Sequence, residues 1–89
     1  MKKKTVVDLF CGAGGLSKGF LDAGYDVVLG VDYDESALKT FQENHGTATA
    51  MKLDLYNHDN ITCIVDFLKE KGIHTLDVLV GGPPCQGFS

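Results

Sequence analysis

Gly81-Gly82-Pro83-Pro84-Cys85-Gln86-Gly87 places a cysteine between prolines and glycines. Proline fixes φ and glycine permits a sharp reversal, so a thiol in such a turn is held in a definite place. A thiolate is a strong nucleophile even when only partly ionised near neutrality. Taken alone, a cysteine is more often a small buried hydrophobe. Rigid placement beside a ligand site is what points Cys85 toward covalent chemistry.

That ligand site is signalled by Gly12-Ala13-Gly14-Gly15 and by Asp32, twenty residues after Gly12. Glycines between a strand and a helix let a cofactor approach backbone, and an acid at the end of the next strand can accept from ribose hydroxyls. The dinucleotide fingerprint G-x-G-x-x-G needs Gly or Ala at position 17, where this chain has Ser17. The pattern therefore points to a ribose-bearing cofactor and matches NAD imperfectly. Tyr33 has two readings, a ring laid on an adenine face or a tyrosine packed at a strand end. Asp54, beside Leu55, reads either as an acceptor for an adenine amino group or as a turn former.

The remaining candidates carry plainer readings. Cys11, Cys63 and Cys85 are an odd set without C-x-x-C spacing, which argues against a disulfide framework and a zinc site and for a reducing compartment. Cys11 fits the glycine turn as a small side chain, and Cys63 reads as packing or half-exposed. His45 is expected near a helix C-terminus, where it suits the dipole. His58 and His74 read as loop residues, and Lys2-Lys3-Lys4 as a solvated tail.

The elements that must position these residues alternate strand and helix. Residues 5–10, 26–31, about 47–53 and 76–80 read as strands. Leu16, Phe20 and Ala23 form the stripe of a first helix closed by Gly24. Asp34 caps a second, with Ala37, Leu38 and Phe41 inward and Asn44-His45-Gly46 as its stop. Asn60 is the expected cap of a third, whose stripe is Ile61, Ile64, Val65 and Leu68, closed by Gly72. Four strands and three helices in alternation imply an α/β fold with right-handed crossovers. The expected strand order is 3-2-1-4, a partial Rossmann-like parallel sheet and one half of a doubly wound domain. That order leaves strand 4 as a bare apolar edge, which native proteins avoid. Residues 1–89 thus read as the first part of a larger domain, marginally stable or self-associating through that edge.

With 89 residues, 44% hydrophobic and 22% charged, the composition is globular rather than disordered. No apolar run approaches the roughly 20 residues that cross a bilayer. Asp8 and the glycines interrupt any signal-peptide core, so a cytoplasmic location is expected. Eight lysines, no arginine and twelve acids give a net charge of −4. Phosphate is held by cationic side chains and guanine is usually read by Arg, so this chain alone is a poor DNA-binding surface.

Asp8-Leu9-Phe10-Cys11-Gly12-Ala13-Gly14-Gly15-Leu16-Ser17 resembles the first motif of the DNA (cytosine-5) methyltransferases. Asp32-Tyr33-Asp34 resembles that family's acid–aromatic–acid segment, Asp54-Leu55 its third motif, and Gly82-Pro83-Pro84-Cys85-Gln86-Gly87-Phe88-Ser89 its nucleophile loop. The resemblance covers the whole chain, in order. It implies a Rossmann-like methyltransferase fold, S-adenosylmethionine as cofactor and cytosine in DNA as substrate. Phe10, Gly12, Ala13, Gly14, Gly15 and Leu16 would line the cofactor. Asp32 would hold the ribose hydroxyls, one methylene shorter than the Glu common there. Tyr33 would stack on adenine, Asp54 would accept from its amino group, Leu55 would pack on the ring, and Pro84 would position Cys85. Addition of the Cys85 thiolate to C6 of cytosine would make C5 nucleophilic toward the methyl group, with loss of the C5 proton and of the thiolate restoring the ring. The family's Glu-Asn-Val and Gln-x-Arg-x-Arg segments and its target-recognition domain are not in these residues; Glu43-Asn44-His45 precedes Cys85 and is not the former. The resemblance therefore implies a chain inactive alone, with a complementary C-terminal chain or remainder as partner. A non-catalytic module binding S-adenosylmethionine or a methyltransferase partner is the alternative, and a dinucleotide-binding fragment a weaker third.

Overall fold

β1 (Thr5–Leu9) is buried at every residue but its last. Its two valines face opposite ways, because successive strand side chains alternate. Val6 joins a core with Val27, Leu38, Phe41 and Val80, while Val7 joins Leu29, Val31 and Ile64 on the other face. A strand with both faces covered needs near-continuous apolar sequence, and the sheet here is wholly parallel.

The computed structural model describes residues 4–12 and 14–81. After β1 come α1 (Gly15–Asp22), β2 (Asp26–Asp32), α2 (Glu35–Asn44), β3 (Thr49–Lys52), a 3-10 turn (His58–Asn60), α3 (Ile61–Glu70) and β4 (Val78–Val80). The strand order is β3-β2-β1-β4, as the alternating pattern predicts. α1 and α2 cover one face and α3 the other. β4 lies at the edge, with Leu79 62% exposed.

Several boundaries and faces differ from the sequence expectation. β1 ends at Leu9 because Phe10 takes a left-handed φ of 56° and turns the chain. β4 starts two residues late: Asp77 Oδ2 accepts the Thr5 N–H at 2.8 Å, so a side chain satisfies that donor instead of a ladder partner. β3 is four residues long rather than seven. Leu16 and Ala23 are exposed, and Ser17 is the residue of α1 that points wholly inward. Ile61 and Val65 are each 42% exposed, leaving Ile64 as the buried member of the α3 stripe. Asn60 does not cap α3 with its side chain; its Nδ2 donates to the Asp54 carbonyl at 3.0 Å.

Other local signals read directly. Asp34 Oδ1 accepts from the Ser36 and Ala37 amides and caps α2. Gly24, at φ 93°, ends α1 while the Tyr25 and Gly24 amides return to the Phe20 and Leu21 carbonyls, the pairing of a Schellman motif.

Candidate functional site

Three strand ends converge on one cleft. β1 delivers Phe10, β2 delivers Asp32 and Tyr33, and β3 leads into Leu53, Asp54, Leu55 and Tyr56. These residues, with Asp34 and Glu35 at the start of α2, line a cleft of about 660 Å³. It lies off the carboxyl ends of the strands, where open parallel sheets take ligands. A second depression of about 510 Å³ opens beside Lys4, Thr5, Asp26 and Asp77 at the amino ends, and none of the sequence candidates lines it.

Asp32 ties the cleft together. Its Oδ2 accepts the Gly12 N–H at 2.7 Å, and its Oδ1 accepts from Tyr33 and Asp34 at 2.7 and 3.0 Å. Carboxylate hydrogen bonds to backbone N–H are charge-assisted, and with Oδ1 filled by two donors, Oδ2 keeps one lone pair for a further donor. Leu53 N–H bonds the Asp32 carbonyl at 3.0 Å, which joins the β3 side. Asp54 Oδ1 accepts the Tyr56 N–H at 3.0 Å, so Asp54 shapes a turn and lines the cleft at once.

The walls are aromatic. Phe10 and Tyr56 meet edge to face, ring centroids 5.6 Å apart. Tyr33 is 67% exposed, with the Lys52 Nζ 5.5 Å from its ring centroid. Four carboxylates face the cleft: Asp32, Asp34, Glu35 and Asp54. Such a lining repels a diphosphate and suits a ligand rich in donors or carrying positive charge. A Cβ on Gly12 would meet nothing within 4 Å, so a ligand has room above that backbone.

Beneath the cleft the glycine turn rests on α2. Gly14 has φ 91°, and a Cβ there would fall 2.6 Å from His45 Cε1 and 2.7 Å from Phe41 Cδ2. Only glycine gives both that conformation and that approach. His45 caps the C-terminus of α2, as its position in the sequence suggests, with Nδ1 3.0 Å from the Phe41 carbonyl. It is buried and stacked on Phe41 at 4.2 Å. Cys11 is buried in the same core, and desolvation with the nearby Asp8 and Asp32 charges pushes its thiol up to about 12. That suits packing rather than nucleophilic chemistry.

Of the residues singled out from sequence, Phe10, Asp32, Tyr33, Asp54 and Leu55 line one cleft, and Gly12 is bonded to its edge. Gly14 lies buried below, Gly15 opens α1, and Leu16 stands outside the cleft on a shallow apolar groove with Phe20 and Tyr25. Ala13, Pro84 and Cys85 lie outside the described residues. Tyr56 was missed; an aromatic directly after Asp54-Leu55, on the same rim, was the available signal. Among the described residues no group of three His, Cys, Asp or Glu could hold a metal ion, and no helix is long and apolar enough to cross a membrane.

Comparison with known proteins agrees with this geometry. Type II methyltransferase M.AgeI of Thalassovita gelatinovora is 42% identical over 93% of this chain and 19% of its own length. Type II methyltransferase M.HgiGI of Herpetosiphon aurantiacus is 36% identical over 93% of the chain and 60% of its length. The crystal structure of a protein described as a prophage-encoded DNA modification methyltransferase (E. coli) superposes with a TM-score of 0.82 at 39% identity. It covers 98% of this chain and 24% of that one. The chain thus spans a fifth to three fifths of the length of these relatives. The model of the C-5 cytosine-specific DNA methylases matches residues 4–89, and the chain belongs to that family.

Proposed function

We propose that this chain supplies the S-adenosylmethionine cleft and the nucleophile of a DNA (cytosine-5) methyltransferase. The observation that carries this reading is the convergence of Phe10, Asp32, Tyr33, Asp54 and Leu55 on one acidic, aromatic-walled cleft. Asp32 receives a ribose hydroxyl on the remaining lone pair of Oδ2, Asp54 the adenine amino group, and Tyr33, Leu55 and Phe10 cover the ring. S-adenosylmethionine, when bound, supplies an electrophilic methyl group.

Cys85 is the nucleophile. Its thiolate would add to C6 of a cytosine withdrawn from the stack and make C5 nucleophilic toward the methyl group; once C5 carries the methyl, loss of the C5 proton would restore the ring double bond and expel the thiolate. A net charge of −4 with no arginine gives DNA little to hold, so contact with DNA falls to a remainder or a complementary C-terminal chain. The chain alone is inactive, and the assembly works in the cytoplasm.

Two measurements test this. Calorimetric titration with S-adenosylhomocysteine should show one site, weakened by Asp32→Ala. Mixing with a complementary C-terminal methyltransferase chain should give methyl transfer to cytosine-containing DNA, and Cys85→Ser should abolish any covalent DNA adduct. No binding by the folded chain discards the cofactor role, and an adduct surviving Cys85→Ser discards the mechanism.

A further inference from the structure

We propose that Tyr56 is a positioning residue of the cleft: its ring braces the Phe10 ring across the end of β2 and so sets a face for the adenosyl group. The inference rests on reading the cleft as the S-adenosylmethionine site, with Phe10 on the adenine ring. Burial does not account for Tyr56, which is 64% exposed. Its neighbour Leu55 packs on the core that contains Ile64, whereas Tyr56 lines the cleft and meets Phe10 edge to face, ring centroids 5.6 Å apart. Such pairs attract beyond the area they bury, because the positive edge of one ring meets the negative face of the other.

Phe10 is a residue in need of a brace. Among the described residues it is the one non-glycine residue with a positive φ, at 56°. That conformation crowds Cβ against the following carbonyl, and a bulky residue keeps it only where its surroundings over-determine it. The backbone beyond it is tied to β2, through the Cys11 amide on the Val31 carbonyl at 3.0 Å and the Gly12 amide on Asp32 at 2.7 Å. Those bonds fix the path of the chain and not the direction of the ring, which the Tyr56 contact supplies.

Tyr56 can serve because its own turn is locked. Asp54 Oδ1 accepts the Tyr56 N–H at 3.0 Å, and the Asp54 carbonyl accepts the Asn57 N–H at 3.1 Å and Asn60 Nδ2 at 3.0 Å. An Asx turn within a β-turn leaves the residue inside it little backbone freedom. β1 and β3 are not neighbours in the sheet, since β2 lies between them. The aromatic pair therefore joins two strand ends that the ladder does not, at the rim where β2 carries Asp32 and Tyr33. One residue thus holds Asp54 through its amide and Phe10 through its ring, and fixes the acceptor for the adenine amino group relative to the wall for its face.

A double-mutant cycle on the 89-residue chain tests this, read by calorimetric titration with S-adenosylhomocysteine. Tyr56→Leu should weaken binding roughly 2- to 10-fold, the range of one aromatic pair. Tyr56→Phe, which keeps the ring, should restore the parental affinity. In a Phe10→Leu background, Tyr56→Leu should cost no further affinity. Aromatic NMR should show Phe10 ring protons displaced by the neighbouring ring in the parent and in Tyr56→Phe, and relaxed in Tyr56→Leu. A folded Tyr56→Leu chain with parental affinity, or equal losses in both backgrounds, would overturn the positioning role. If the Phe10 shifts follow residue 56 but the parent does not bind S-adenosylhomocysteine, the cofactor reading fails and the aromatic brace stands.

Discussion

The Asp32 carboxylate accepts the Gly12 amide proton at 2.7 Å, across 20 residues of sequence. The end of β2 and the turn after β1 are therefore one rigid piece, and the acid expected to hold a ribose also holds the backbone beside it.

Asp32→Asn tests that double role. An amide offers one acceptor oxygen where the carboxylate serves three N–H groups. Hydrogen bonds to a charged group contribute about 1.5–3 kcal/mol each. Affinity for S-adenosylhomocysteine should fall roughly 10- to 100-fold. Exchange of the Gly12 amide should accelerate with it, and an unchanged exchange rate would separate the two roles.

Gly14→Ala and Gly12→Ala should fail in opposite ways. At Gly14 the new methyl meets His45 and Phe41 below 3 Å, and overpacking with left-handed strain should cost about 2–4 kcal/mol in urea unfolding. At Gly12 the methyl enters open space at φ 55°. That change should cost only about 1–2 kcal/mol of stability yet obstruct the ligand, so binding rather than the unfolding midpoint reports it.

Cysteine labelling should separate buried from exposed thiols. Cys11, pushed up to about 12, should resist iodoacetamide at pH 8 in the native chain and react in urea. Exposed Cys63 should react in both. Peptide mapping by mass spectrometry distinguishes them, and rapid native labelling of Cys11 would contradict its burial.

Asp8 should make stability fall as pH rises. Its folded-state value lies above the unfolded one, because burial penalises the carboxylate. The contribution is complete below the unfolded value near 4 and is lost as pH climbs through the raised folded value. Urea midpoints between pH 4 and 8 should decline less steeply in Asp8→Asn than in the parent chain.

Much of this was legible in the residues. Apolar runs at 5–10 and 26–31 and the intervening helical spacing pointed to the strand order, because βα alternation leaves few topologies. Asp34 and Gly24 announced helix ends through local chemistry that tertiary contacts do not override. Ser17 and His45 were read as a departure from a fingerprint and as a dipole partner. Their burial depends on how α1 and α2 roll against β1, which spacing along one helix does not encode. The α1 stripe failed for the same reason: Leu16 lies outside and Ser17 inside. Asp77 capturing the Thr5 amide shortened β4, and no sequence rule pairs residues 72 positions apart.

α2 touches the site at both ends. Asp34 and Glu35 border the cleft at its start, and His45 carries Gly14 just past its finish. Its ten residues act as a gauge block of about 15 Å between ligand wall and turn. Inserting one residue on its exposed face would rotate His45 by about 100° and shift it by about 1.5 Å relative to Asp34. Substitution there can be free while length is not. In this helix the count of residues, more than their identity, is what the site measures.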